Sequence, residues 1–206
     1  KKIDNKWENL RKKLSKGENT KYPKLDRFFK YFITSRYMDK GVLQEKKIID
    51  WIKSEDKSNN LKIAKNPIKF LNILDNEMTD YVNILKKRYP EHLNEDGNVM
   101  ALRRLSSFGK EIRRHLPIML AASREKDSKK DYEKLSESIE NLALVWKLTK
   151  SQWNEVEKNL ANWSSQIRNG VPVDEFIENN IRRLIKSKAS DIPKELLDMS
   201  EKPKTL

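Results

Sequence analysis

Apolar residues recur along the chain at intervals of three and four, and polar residues fill the gaps. That period is the signature of amphipathic helices. Ile3, Trp7, Leu10 and Leu14 mark a first helix, and Lys16 to Thr20 close it with Gly17 as the expected C-terminal cap. Pro23 stands where a second helix could open, and Leu25, Phe28, Phe29, Phe32, Ile33 and Tyr37 form its wide apolar face. Gly41 punctuates, and Ile48, Ile49, Trp51 and Ile52 mark a third helix. Ser54 to Asn60 is polar and reads as a loop. Asn66 and Pro67 combine a capping side chain with a residue suited to the first helical turn. Leu71, Leu74, Met78, Tyr81 and Leu85 carry that helix to about Tyr89, where Pro90 stops it.

The second half follows the same grammar. Val99, Leu102, Leu105 and Phe108 open a helix, Gly109 weakens it, and Ile112 and Leu116 continue the stripe. Pro117 requires a kink or a fresh start. Ile118 to Ala122 is the most continuous apolar run and is expected to be buried on all sides. Arg124 to Lys130 reads as a charged loop. Tyr132, Leu135, Ile139, Leu142, Val145 and Trp146 define the next helix. Thr149 with Gln152 fits a capping box ahead of Trp153, Val156, Leu160, Trp163 and Ile167, which Asn169-Gly170 closes. Phe176, Ile177, Ile181, Leu184 and Ile185 form a further helix, and a short one is expected after Pro193 through Leu196 and Leu197. No segment alternates with period two. The expected fold is all-α: an irregular bundle of about eight or nine helices without a significant sheet. Its organisation divides into a basic N-terminal helix or linker (1–20), a helical bundle (21–190) and a short helix with a frayed tail (191–206).

Composition narrows the picture. Apolar and charged residues each make up 36% of the 206 residues, a polar balance that long helices with narrow stripes would produce. The five Trp, six Tyr and six Phe, periodically spaced, argue against disorder. With no Cys, disulfides, thiol catalysis and Cys-based zinc sites are excluded, and the chain is compatible with a reducing cytoplasm. No apolar run approaches the ~18 residues that a membrane helix needs, so no membrane partner is expected. The opening Lys1-Lys2-Ile3-Asp4 has neither an initiator Met nor a signal core and reads as the cut end of a longer protein.

Recognisable catalytic motifs are missing. Five scattered glycines cannot form a phosphate loop, and there is no His-Glu-x-x-His. The two histidines, His92 and His115, stand far apart. His92, beside Glu91 and Asp96, reads as an exposed loop residue, with metal or acid–base work the sharper alternative. His115, after Arg113-Arg114, reads as a partly buried histidine donating to a carbonyl, with a phosphate contact as the competitor. Glu133, Glu137 and Glu140 share a helix face expected to be solvated. Trp7, Trp146, Trp153 and Trp163 fall on apolar stripes and read as core. We therefore expect no enzyme activity, no cofactor and no bound metal. A pocket that joined His92 or His115 to carboxylates would speak for an unrecognised enzyme.

The net charge of +13 predicts attraction to polyanions. Residues 1–30 hold nine Lys and two Arg against two Asp and two Glu, a net of +7. Arg103, Lys110 and Arg114 fall at i, i+7 and i+11, so an unbroken helix would place them on one face, flanked by Arg104 and Arg113. Such a row can grip phosphates; the bland alternative is salt bridging to the abundant Glu. Arg11-Lys12-Lys13 repeats the signal, as do Lys86-Lys87-Arg88 and Arg182-Arg183 with Lys186.

Asp26-Arg-Phe-Phe-Lys-Tyr-Phe-Ile33 followed by Lys47-Ile-Ile-Asp-Trp-Ile-Lys53, and Ala101-Leu-Arg-Arg-Leu105 leading into His115-Leu-Pro-Ile-Met-Leu-Ala121, resemble the helical middle region of GmrSD-type restriction proteins. The resemblance spans roughly residues 20 to 170. In that family a ParB-like nucleotide-hydrolysing domain precedes the helical region and a His-Asn-His-type nuclease domain often follows. The proteins act in bacterial defence against foreign, often modified, DNA. This chain has no Asp-Gly-Gln-Gln-Arg-like segment and no nuclease motif, so the resemblance carries over no catalytic residue. It implies a non-catalytic helical domain that links catalytic domains of its parent, supports assembly and holds DNA; the basic clusters above supply the expected contacts to the backbone of double-stranded DNA, Arg103, Arg104, Lys110, Arg113, Arg114, Arg11, Lys12 and Lys13. The alternative is a helical protein–protein scaffold that binds no nucleic acid.

Overall fold

A computed structural model describes residues 2–18, 24–108, 113–125, 128–149, 153–189 and 192. The chain folds as an all-α multi-helix bundle, and no strand occurs among the described residues. The helices are α1 (Lys2–Glu18), α2 (Leu25–Tyr37), α3 (Ile48–Lys57), α4 (Pro67–Leu85), α5 (Met100–Ser107), α6 (Leu116–Glu125), α7 (Lys129–Leu148) and α8 (Trp153–Arg168). A last continuous rod joins α9 (Val173–Phe176), a π-helical segment (Ile177–Arg182) and α10 (Arg183–Ala189). Among the described residues no helix is long and apolar enough to cross a membrane.

α6 is the centre, packed against α2, α4, α7 and α8. Its sequence allows this position: Leu116 to Ser123 offers an apolar surface all round, and every residue of that run is buried. Pro117 lies in the first turn of α6, where its missing N–H costs no helical bond, so it marks a fresh start rather than a kink. α1 packs against α4, and Leu10 and Leu14 join the same core as the other helices. Aromatic rings fill the space between α2 and α4: Phe28 stacks on Phe32 at 5.9 Å and meets Tyr81 edge-on at 5.4 Å.

Several helix ends follow their local chemistry. Asn66 caps α4 by accepting from the Lys69 amide at 3.0 Å, with Pro67 in the first turn. Gly170, at φ 82°, ends α8: its own amide reaches the Ile167 carbonyl and the Val171 amide reaches that of Gln166.

Other ends differ from the sequence reading. Gly17 does not cap α1; it lies within the helix, and a Cβ there would stand 2.4 Å from Val82 Cγ2. Its lack of a side chain serves the close approach of α1 and α4. The expected loop from Ser54 is helical as far as Lys57, because polar residues on an exposed helix face break no pattern. Arg124 and Glu125 belong to α6, and Lys129 and Lys130 already belong to α7. Thr149 caps the C-terminus of α7 instead of opening α8, its hydroxyl donating to the Val145 carbonyl at 3.0 Å. Gln152, Gly109, Ile112, Pro23 and the expected helix after Pro193 lie outside the described residues.

Candidate functional site

The arginines proposed as a phosphate-gripping row do not lie on one helix. α5 ends at Ser107, and residues 113–115, just before α6, are not helical. Arg103 and Arg114 therefore belong to separate elements, and Lys110 lies outside the described residues. The remaining members act largely as braces between helices. Arg104 on α5 clasps Glu140 on α7 with two parallel bonds, one of them at 2.7 Å. Arg113 Nη1 donates to Glu18 Oε1 at 2.9 Å, and the same oxygen accepts from the Tyr81 hydroxyl at 3.2 Å. Arg114 Nε stands 3.7 Å from Glu157, which Lys30 holds from α2 at 2.8 Å. On α1, Arg11 pairs with Glu8 at 3.1 Å, and Lys13 bonds Asp75 and Thr79 of α4. Lys12 and Arg103 are exposed, with no carboxylate partner among the described residues.

The expected solvated acidic face is likewise partly used. Glu140 holds Arg104, Glu133 accepts from the Tyr89 hydroxyl, and Glu137 is exposed. Trp146 is fully buried, and Trp163 packs edge-on against Phe176 at 5.9 Å. Trp7 lies half-buried at 6.4 Å from Phe29; the Trp153 side chain is outside the described set.

A second set of charges converges where α2, α4 and α6 meet. Glu77 keeps 2% of its surface exposed. Arg124 Nη1 reaches both of its oxygens, at 2.9 and 2.8 Å, and Arg36 Nη1 reaches one at 2.7 Å. Arg124 Nη2 also donates to the Ser35 carbonyl and hydroxyl, each at 3.0 Å. A carboxylate with two guanidiniums is fully satisfied and draws three helices together. Beside it opens a cleft of about 460 Å³, whose lining includes Asn76, Thr79, Asp80, Glu91, His92 and Ser123. The cleft thus joins His92 to carboxylates, the arrangement that would speak for acid–base chemistry. Among the described residues, however, no group of three His, Asp or Glu is placed to hold a metal.

Asp80 lies one turn beyond Glu77 on α4. Burial, and then the charge of Glu77, push its carboxyl up to about 7. Between the ordinary carboxyl value near 4 and about 7, the folded state keeps a proton that the unfolded chain has released. Stability therefore falls as pH rises through that window and levels off above it. Asp80→Asn is expected to gain stability over the parent as pH rises, with the largest gain above pH 7. Urea unfolding at pH 5, 6, 7 and 8 measures this, and a constant difference between the two proteins would refute it. His115 acts in the opposite direction. Burial, then Arg113 and Lys87, lower it to about 4, so acid costs stability as pH falls from about 6.5. Both proteins share that loss, and it cancels in the comparison. The His115 Nδ1 is enclosed and makes no hydrogen bond among the described residues.

The sequence reading missed Glu77 and Asp80 and misplaced Arg124. One signal was available: Glu77 interrupts the stripe of Leu74, Met78 and Tyr81, where a carboxylate requires a buried partner. Its partners stand 41 and 47 residues away.

Fold and site define a basic, all-α domain braced by inter-helix ion pairs. No family model, no curated protein and no solved structure matches the chain.

Proposed function

We propose that the chain is a non-catalytic helical domain of a bacterial DNA-targeting, antiphage defence protein, working in the cytoplasm. It links the catalytic domains of its parent and holds double-stranded DNA by the backbone, without reading bases. The observation that carries this reading is the charge surplus. An ion pair consumes one charge of each sign, so the internal braces leave the net +13 untouched. The surplus falls on exposed cations of several helices and turns, among them Lys12, Lys46, Lys47, Lys53, Lys86 and Arg103. A dispersed positive surface suits backbone contact, where affinity arises from counterion release.

Binding to labelled duplex DNA across a salt series tests the reading, with a folded control protein of similar charge. The expected result is tighter binding than the control and a steep salt slope. Lys12→Glu with Arg103→Glu should weaken binding about tenfold and lower the slope by about 2, one unit per lost phosphate contact. Binding no better than the control would remove DNA from the proposal. The second reading, a protein-interaction scaffold, would then lead. It is favoured by the use of Arg104, Arg113 and Arg114 as internal braces.

A further inference from the structure

We propose that the groove between α7 and the C-terminal rod docks an acidic amphipathic helix from a partner protein. On α7, Ser138, Asn141 and Val145 fall at i, i+3 and i+7 and line one side, with Leu144 beside them. On the rod, Ile185 is half-buried with Ile181 buried beneath the lining, and Arg182 and Lys186 stand one helical turn apart. The groove encloses about 490 Å³.

Three observations specify the occupant. The first is apolar surface: four of the lining residues are aliphatic, and Leu144, one of four large apolar side chains left exposed among the described residues, keeps 40% of its surface open. An exposed leucine over an aliphatic trough calls for branched apolar side chains from a partner. The second is charge. The groove lining holds two cations and no carboxylate. Arg182 pairs with Glu178 on its own rod, and Lys186 has no partner among the described residues. A partner with carboxylates beside its apolar residues meets those cations, and the surplus charge of the whole chain favours its approach. The third is shape. Ser138 to Val145 spans about 10 Å of helix axis, two turns, and a groove between two packed helices accepts a third by ridges-into-grooves packing.

The π-helical segment, Ile177–Arg182, contributes Ile181 and Arg182 to the groove lining, and single π turns of this kind recur at functional sites. It is held from within: Asn180 Nδ2 donates to the Phe176 carbonyl at 3.1 Å and to Gln166 Oε1 at 2.9 Å. The site is preorganised, because neither bond needs a ligand.

Fluorescence anisotropy tests the proposal on the full chain. The probe is a labelled 16-residue helical peptide with Leu at i, i+4, i+7 and i+11 and Glu at the flanking positions. The comparison is a scrambled peptide of equal composition. The expected result is saturable binding of the patterned peptide at least tenfold tighter than of the scrambled one. Leu144→Glu and Lys186→Glu should each weaken it at least tenfold, and Lys186→Arg should retain it. Both positions are exposed, so an unchanged thermal melt establishes that the variants are folded. Equal binding of the two peptides, or unchanged affinity in Leu144→Glu, would overturn the proposal. Neither Lys12 nor Arg103 lines the groove, so this test and the DNA test fail independently.

Discussion

Glu77→Ala is expected to cost about 3–5 kcal/mol of folding stability, the range for breaking a buried ion pair from one side. The carboxylate is almost wholly enclosed and is the shared acceptor of Arg36 and Arg124. Removing it leaves two guanidiniums facing each other without a counter-charge, and Arg124 keeps only 14% of its side chain exposed. The loss is one of desolvation and repulsion more than of the pair's own attraction. A second variant separates these causes. Glu77→Leu with Arg36→Met and Arg124→Met removes the charges together and should recover much of the loss, since an apolar replacement of a buried network is often neutral. Urea unfolding of both variants measures the effect. A single-variant loss below about 1 kcal/mol, typical of an exposed pair, would show that water reaches the network.

Phe28→Ala should cost a similar amount, about 3–5 kcal/mol, for a different reason. Phe28 is fully buried and touches Phe29, Phe32 and Tyr81, so it locks α2 onto α4. Truncation removes its own burial and leaves a cavity whose walls are rings that cannot collapse inward. Phe29, also on α2 but only half-buried, provides the internal comparison. Phe29→Ala should cost clearly less, because water already covers part of the ring. Equal losses at the two positions would mean that the aromatic cluster is looser than its packing implies.

These effects rest on residues of unequal legibility. Phe28 sits on a regular apolar stripe, and its burial follows from the period of the sequence. Glu77 sits on a stripe too, but its role depends on Arg36 and Arg124, which other helices deliver. The same distinction runs through the basic residues. Arg104 and Arg114 look alike in sequence, a pair of arginines among apolar neighbours. One clasps Glu140 on α7 and the other approaches Glu157 on α8. Their common helix face was an inference from spacing, and it failed because Leu105 to Leu116 is not one continuous helix. Gly17 shows the limit for a glycine. A residue without a side chain suits a helix end and a close helix crossing equally well, and only the position of Val82 distinguishes them.

The sequence by itself determined that the chain is helical, that α4 starts at the Asn66-Pro67 cap, and that Ile118 to Ala122 is central. These properties depend on local period, turn chemistry and the hydrophobic effect, all of which act between near neighbours. Only the tertiary structure decided which charges face inward, which arginines brace helices and where a groove stays open. An ion pair forms between side chains brought within about 4 Å, and in this bundle the partners come from helices separated by tens of residues.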